Sequence, residues 1–195
     1  MKKIYYSWKD VEGAVLEIAR SVTASGWRPD YVVGITRGGA IPAVMLSQFL
    51  GVPMRPLEVS LRDGGQTVSD LGMAEDAFGY QAERFVEDEN DVGSVLEAAS
   101  DLLEQGDSYK NILIVDDIND TGATFNWIKE DWRSGCMPND PSWDDAIWHH
   151  NVRFAVLTNN LASKADIDYY AWEVNKAEED CWLVYPWEEY WRNND

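Results

Sequence analysis

The sequence predicts a single α/β domain with a mainly parallel, twisted sheet flanked by helices. Three mostly apolar segments, 31-YVVGI-35, 111-NILIVDD-117 and 152-VRFAVLT-158, are short and uninterrupted, as in strands buried within parallel sheets. Segments with helical spacing lie between them, and this alternation favours a parallel sheet. The 195 residues contain no repeat, no low-complexity linker and no second core, so we predict one domain over residues 1–195.

The first helix is predicted to begin after Ser7, whose side chain caps it, with Asp10 in the first turn. Gly26 and Pro29 follow its end. The apolar residues between recur at helical spacing and form one face that should pack on the sheet: Val11, Ala14, Val15, Ile18, Ala19 and Val22.

The later elements are less regular. Helices are predicted over 41–50 and 121–133, the first of them after a glycine turn. A strand is predicted over 54–60, although Pro56 weakens the prediction of its middle because proline cannot donate to a strand ladder. The alternation over 168–174 is weak.

An acidic insertion is predicted over residues 61–107. Its first part, 61–80, is polar and glycine-rich without a clear period, which indicates a mobile loop. Acidic residues dominate 83–107, where apolar residues at helical spacing indicate one amphipathic helix with a solvated face.

The net charge of −19 disfavours nucleic acid or an anionic membrane as the main partner, because such a surface repels phosphates at long range. Two cysteines, Cys136 and Cys181, form no disulfide framework and suit a reducing compartment. No apolar run approaches the roughly 20 residues of a membrane helix, and no secretory pattern follows the N-terminal lysines. We therefore expect a cytoplasmic protein.

Three carboxylates stand around a predicted strand end in 112-ILIVDDINDTGATF-125. Carboxylates beside a core are costly unless a cation or a hydrogen-bond donor meets them. Ligands of open α/β sheets bind at the carboxyl ends of strands, which is where Asp116 and Asp117 lie. These two acids suit sugar hydroxyls or a hydrated Mg²⁺.

The next residues suit a phosphate. A helix start offers free backbone N–H groups, and here it has two hydroxyls, Thr121 and Thr124, and two small residues, Gly122 and Ala123. Acids for a sugar or metal beside a cradle for a phosphate together indicate a sugar phosphate as the ligand.

The segment 112-ILIVDDINDTGAT-124 resembles the signature of the type I phosphoribosyltransferases, which bind 5-phosphoribosyl 1-pyrophosphate. The resemblance implies that fold, a Mg²⁺ cofactor, and a 5-phosphate anchored by residues 120–124. It implies that Asp116 and Asp117 hold the ribose hydroxyls and the hydrated metal, with Asp117 as the metal ligand. Asp120 stands where relatives place a carboxylate beside the purine, so it is expected to take the proton of the attacking base.

A second segment, 33-VGITRGGAIPA-43, is similar to the loop that this family places over the pyrophosphate. The resemblance assigns Thr36, Arg37 and Gly38 to the diphosphate. Arginine offers a fixed fork of donors for diphosphate oxygens, and glycines allow backbone N–H groups to turn toward them.

The tail 180-DCWLVYPWE-188 resembles the C-terminal hood of the bacterial xanthine-guanine phosphoribosyltransferases, and we assign residues 166–195 to that hood. Trp182 is then expected to stack on the purine, with the main chain near Leu183 reading its exocyclic groups. The start 5-YYSWKDV-11 also has the look of this subfamily.

The resemblance fails at one position of the base site. Purine-specific relatives commonly carry a lysine at the end of the strand after the phosphate cradle, where it donates to the 6-oxo group. Here that place is 158-TNNL-161, and the nearest lysine is Lys164. The amide of Asn160 can donate to the same oxygen, but it can also read another base.

The predicted function is transfer of 5-phosphoribosyl from its diphosphate donor to a 6-oxopurine, guanine or xanthine first, with release of diphosphate. The partners are the donor and the base, and a homo-oligomer, dimer or tetramer, is expected. Two alternatives stay open: the same reaction on another nucleobase, and a non-catalytic protein that senses the donor or a nucleotide.

Overall fold

A computed structural model describes residues 1–59, 110–135 and 146–188. These residues form seven strands and three helices. Their bounds are β1 Lys2–Tyr5, α1 Trp8–Ala24, β2 Tyr31–Thr36, α2 Ala40–Leu50, β3 Met54–Glu58, β4 Ile112–Asn119, α3 Ala123–Gly135, β5 Val152–Asn160, β6 Tyr169–Val174 and β7 Cys181–Val184.

Five of the strands form one sheet in the order β3-β2-β4-β5-β6, and every neighbouring pair is parallel. The central strand β4 sends alternate side chains to two cores: Leu113 and Val115 to one face, Ile112 and Ile114 to the other. Helix α1 contributes to the first core, and Phe125 of α3 contributes to the second. The predicted α/β fold with helices flanking a parallel sheet is thus confirmed.

Helix α1 begins where the sequence predicts. The Asp10 N–H donates to Ser7 Oγ at 3.2 Å, and the Ser7 N–H donates to Asp10 Oδ2 at 2.7 Å, which completes a capping box. All six apolar residues predicted for the inner face are buried. Because both signals are local in sequence, this element was fully predictable.

Strand β3 tolerates Pro56 because it lies at the edge of the sheet. In the described part of the chain it pairs only with β2, where Pro56 lies opposite Gly34. A residue without an N–H costs no ladder bond on the side that has no partner strand. The predicted strand is therefore confirmed.

The segment predicted as a hood divides into two parts. Strand β6 belongs to the main sheet, whereas β7 pairs in parallel with β1 in a separate two-stranded sheet, with Lys3 opposite Trp182. Five aromatic side chains hold this small sheet against the domain, with successive ring centroids 4.2 to 5.9 Å apart: Trp172, Tyr6, Tyr185, Trp187 and Trp8. The N-terminal segment thus packs with the C-terminal part of the predicted hood.

The acidic insertion predicted over 61–107, with its loop over 61–80 and its helix over 83–107, lies outside the described residues. Among the residues that are described, no helix is long and apolar enough to cross a membrane.

Candidate active site

The acidic end of β4 is partly buried. Asp116 Oδ1 accepts a hydrogen bond from the Asp117 N–H at 2.9 Å. Burial, followed by the charge of the adjacent Asp117, raises the pKa of Asp116 well above its usual range. Burial also raises the pKa of Asp117 to about 6, and the charge of Glu188 acts in the same direction. The negative charge of these two carboxylates is therefore costly. A bound cation would reduce that cost, so this end of β4 is suited to bind one.

The glycine loop between β2 and α2 lies directly on these acids. A Cβ at Gly38 would overlap the Asp117 carboxylate, and a Cβ at Gly39 would lie 2.6 Å from Asp116 Cα. The Thr36–Arg37 peptide is cis. The Arg37 side chain is exposed and forms no hydrogen bond or ion pair with the described residues, so its guanidinium is free to bind an anion. The structure thus brings the predicted diphosphate loop and the acids together.

The predicted phosphate cradle is the turn between β4 and α3. Gly122 has a φ of +85°, which other residues rarely adopt, and a Cβ there would lie 2.6 Å from Ala165 N. The Lys164 N–H donates to the Thr121 oxygen at 3.2 Å. Glycine is therefore required at position 122, both by the positive φ and by the close packing of segment 163–165. Thr121 and Ala123 are exposed at the start of α3.

The residues that support this turn were not predicted from the sequence. Asn119 is buried, and its amide donates to Asn159 Oδ1 at 2.8 Å and to the Ala165 oxygen at 3.0 Å. The Ser163 hydroxyl donates to Asn119 Oδ1 at 2.7 Å. A buried polar network of this kind fixes the turn, since each member loses its partner if the turn moves. The only sequence signal for this network was Asn119, a polar residue at the end of an apolar strand.

Asp120 is paired with a cation that the sequence did not identify. Lys176, in the turn after β6, places Nζ 2.9 Å from Asp120 Oδ1, and its side chain is only 18% exposed. Asn160 joins the same two segments: its Nδ2 donates to the Asp120 oxygen at 2.7 Å, and its Oδ1 accepts from the Lys176 N–H at 3.0 Å. Asn160 is 6% exposed, and its amide is hydrogen-bonded to main-chain groups.

The predicted base platform lies on β7. Trp182 is 49% exposed, so one indole face is available for stacking, whereas the Leu183 side chain is buried and leaves only its main chain for recognition. The hood is tied to the acids through Tyr185, whose buried hydroxyl donates to the Asp117 oxygen at 3.0 Å and lies 2.9 Å from Thr158 Oγ1.

Known proteins share this fold over nearly the whole chain. The phosphoribosyl transferase domain matches residues 2–192. The chain belongs to the phosphoribosyl transferase domain family. This confirms the family and the phosphoribosyltransferase class of reaction that the signature segment predicted.

Individual members of the family are similar over nearly the whole chain. The hypoxanthine-guanine phosphoribosyltransferase of Schizosaccharomyces pombe is 28% identical over 95% of this chain and 89% of that protein. The xanthine-guanine phosphoribosyltransferase of Cereibacter sphaeroides is 25% identical over 96% and 87%. The crystal structure of a purine phosphoribosyltransferase from Pyrococcus horikoshii matches with a TM-score of 0.64 at 25% identity, covering 97% and 95%.

Proposed function

We propose that this phosphoribosyltransferase moves 5-phosphoribosyl from 5-phosphoribosyl 1-pyrophosphate to a 6-oxopurine, guanine or xanthine first. The observation that carries the proposal is the contact of Gly38 with the Asp117 carboxylate. This contact supports the proposal because it brings the loop around Gly38 to the two acids of β4, and the turn 120–124 follows on the same strand. A loop for diphosphate, acids for the sugar and a turn for the 5-phosphate are the groups that this donor would need.

The groups of the site divide the tasks of the proposed reaction. The turn 120–124 binds the 5-phosphate through backbone N–H groups and hydroxyls, and this remote grip orients the anomeric carbon. Asp116 and Asp117 accept hydrogen bonds from the ribose hydroxyls. Arg37 and the N–H groups near Gly38 bind the diphosphate and stabilise the negative charge that develops as it leaves.

Mg²⁺ fits the acidic end of β4. The two carboxylates of Asp116 and Asp117 offer oxygen ligands, which Mg²⁺ prefers, and burial raises their pKa values so that a cation would lower the cost of their charge. The described residues contain no cluster of three or more His, Cys, Asp or Glu that could hold a metal, so the remaining ligands are expected to be diphosphate oxygens and water. When bound, Mg²⁺ neutralises charge on the diphosphate.

The base is proposed from the tail and from the relatives. Trp182 offers a stacking face, and the named substrates of the S. pombe and C. sphaeroides relatives are 6-oxopurines. Asp120 is proposed to accept the proton of the base as its ring nitrogen attacks. A homo-oligomer and a cytoplasmic location stay predictions.

The test is an activity screen of the full chain with 5-phosphoribosyl 1-pyrophosphate, Mg²⁺ and a panel of guanine, xanthine, hypoxanthine, adenine and uracil. With a 6-oxopurine, a nucleoside monophosphate and inorganic diphosphate should form in equal amounts. Neither product should form in EDTA. Use of adenine or uracil alone would refute the base assignment. Tight donor binding without turnover on any base would favour the sensing alternative.

A further inference from the structure

A second cluster of titratable side chains lies at the opposite end of β5 from the candidate active site. It joins Lys129 of α3, His149 in the turn before β5 and Asp168 just before β6. Lys129 Nζ lies 3.0 Å from His149 Nε2, and His149 Nδ1 lies 3.0 and 3.1 Å from the two carboxylate oxygens of Asp168. An amine, an imidazole and an orienting carboxylate thus follow one another at hydrogen-bond distance, which is the order of groups in sites that activate a nucleophile.

The imidazole is held in one orientation. The Asp168 carboxylate is 15% exposed and accepts a second hydrogen bond, from the Phe154 N–H at 2.7 Å, so β5 fixes its position. His149 has a φ of +64° and is the only residue other than glycine with a positive φ in the described part of the chain. This backbone conformation is uncommon for a residue with a side chain. With it, the ring lies between Lys129 and Asp168.

Only one proton can lie between the lysine nitrogen and the imidazole. His149 Nδ1 faces a carboxylate, which only accepts hydrogen bonds, so Nδ1 carries a proton. Nε2 either accepts from the Lys129 ammonium or, after taking that proton, donates to the free amine. The second state places an imidazolium beside Asp168, whose charge stabilises it. It also leaves Lys129 with a lone pair, which is the nucleophilic form of a lysine.

The surroundings of Lys129 favour the free amine. Burial lowers the pKa of Lys129 below its usual range, although the charges of Asp166 and Asp168 act in the opposite direction. Lys2 shows the contrast, because its hydrogen bond with Glu179 raises the pKa of that lysine. An ammonium gains no charge–charge attraction from a neutral imidazole, so the contact of Lys129 with the ring is not explained as an ion pair.

We propose that Lys129 is a site of acylation, at which His149 acts as the general base and an acyl phosphate or an acyl thioester supplies the acyl group. One proton passes from Nζ to Nε2, and the Nζ lone pair forms a bond to the acyl carbon. The bond from that carbon to the phosphate oxygen or the thiolate sulfur breaks, and the leaving group departs with the electron pair. It takes the second proton of the amine, and His149 releases the first to water. This inference is independent of the proposed phosphoribosyl transfer.

The product of acylation suits the cluster. The amide keeps one N–H, which can donate to His149 Nε2 in place of the ammonium, and it carries no charge. Reaction with carbon dioxide would instead place a carbamate anion near Asp166 and Asp168, whose charges would repel it. Lys129 is partly exposed, so a small acyl donor can reach Nζ.

The test measures the acylation rate of individual lysines in the full chain by mass spectrometry near neutral pH. Acetyl phosphate is the donor in one arm and acetyl coenzyme A in the other, so the arm that reacts identifies the donor class. The exposed Lys9 of α1 is the reference within the chain. Lys129 should react at least about tenfold faster than Lys9, since a positioned general base contributes about 100-fold or more and partial burial offsets part of it. In His149→Asn this advantage should disappear, because asparagine tolerates a positive φ but cannot take the proton.

His150→Asn is the matched control, since His150 is the adjacent histidine and is exposed, and it should leave the rate at Lys129 unchanged. Asp168→Asn is a second test. Its oxygen can still accept from the Phe154 N–H, but its amide would donate to the imidazole Nδ1 and leave the proton on Nε2, so the rate should fall here too. Thermal unfolding shows whether each variant is folded, and the wild-type comparison decides if neither is. Equal wild-type rates at Lys129 and Lys9, or an advantage of Lys129 that persists in the folded variants, overturn the inference.

Discussion

Gly38 offers the sharpest test of the site, because a methyl group at this position would overlap the Asp117 carboxylate and force it to move. The Gly38 φ lies outside the left-handed region, so alanine can adopt the backbone. The new Cβ would lie 2.5 Å from Asp117 Cγ and 2.8 Å from Oδ1, against 3.4 Å for ordinary contact. The carboxylate must therefore retreat by about 1 Å, and a misplacement of that size typically costs about 100-fold in rate.

In Gly38→Ala, kcat/KM for the donor should fall by about 100-fold, with donor affinity in Mg²⁺ down by at least about tenfold. The free energy of unfolding should change by less than about 1 kcal/mol, since the displaced group is the end of a side chain. Steady-state kinetics, calorimetry and urea unfolding measure the three quantities. Gly13→Ala is the control: nothing lies near its Cβ in α1, so it should stabilise the protein by about 0.5–1 kcal/mol without affecting the donor.

The neighbouring glycine should behave differently. A Cβ at Gly39 would clash with backbone atoms, among them Asp116 Cα at 2.6 Å and the Ile35 oxygen at 2.8 Å. Backbone atoms within paired strands cannot move away as the end of a side chain can. Gly39→Ala should then destabilise the fold by about 1–3 kcal/mol or more. If Gly38→Ala bound the donor as tightly as the wild type, or lost stability as Gly39→Ala does, the assignment of Gly38 and Asp117 to one donor site would be wrong.

Three further predictions concern the acids and the hood. Tyr185→Phe should lower the free energy of unfolding in urea by about 1–3 kcal/mol, because it removes the buried hydroxyl that binds both Thr158 Oγ1 and the Asp117 oxygen; an unchanged value would contradict this. Asp117 has a folded-state pKa of about 6 against 3.8, so without Mg²⁺ its proton stabilises the fold at low pH and that contribution is lost as pH rises from about 4 to 6. Asp117→Asn should accordingly be more stable than the wild type by about 1–3 kcal/mol at pH 8 in EDTA, with little difference at pH 4; urea unfolding that shows the same difference at both pH values would refute the assigned pKa. Trp182→Ala should raise the KM for the base by about tenfold or more through lost stacking while leaving donor affinity unchanged, and equal KM values for every accepted base would remove Trp182 from the base site.

The elements that local sequence specifies were predictable. The capping box of Ser7 and Asp10, the apolar face of α1 and the strand-turn-helix around Asp117 and Thr121 each depend on residues within a few positions of one another. The contacts of these elements with the rest of the chain stabilise the same conformations that the local sequence favours. This is why both the family and the acids of the site could be found from the sequence.

The elements that were missed depend on distant pairing. Strand β1 has only four residues, which are largely exposed, and its partner β7 begins at Cys181 at the other end of the chain, so no local pattern marks it. Lys176 was missed for a related reason. It reaches Asp120 because β6 joins the main sheet beside β5, whereas the resemblance of the tail assigned residues 166–195, which include β6, to the hood. With β6 placed in the sheet, residues just after it would have been candidates by the rule that ligands lie at the carboxyl ends of strands.

The charge of the chain explains why the site relies on short-range contacts. With 35 acidic against 16 basic residues, the protein repels a donor that is itself a polyanion, so long-range steering works against binding. The attraction must come from groups that act at contact distance, namely the N–H groups at the starts of α2 and α3, the Arg37 guanidinium and a cation held by Asp116 and Asp117. Burial raises the pKa values of these two acids, so their charge is costly as well. A proposed Mg²⁺ that arrives with the diphosphate would relieve both problems at once, since it neutralises the donor and the acids in the place where they meet.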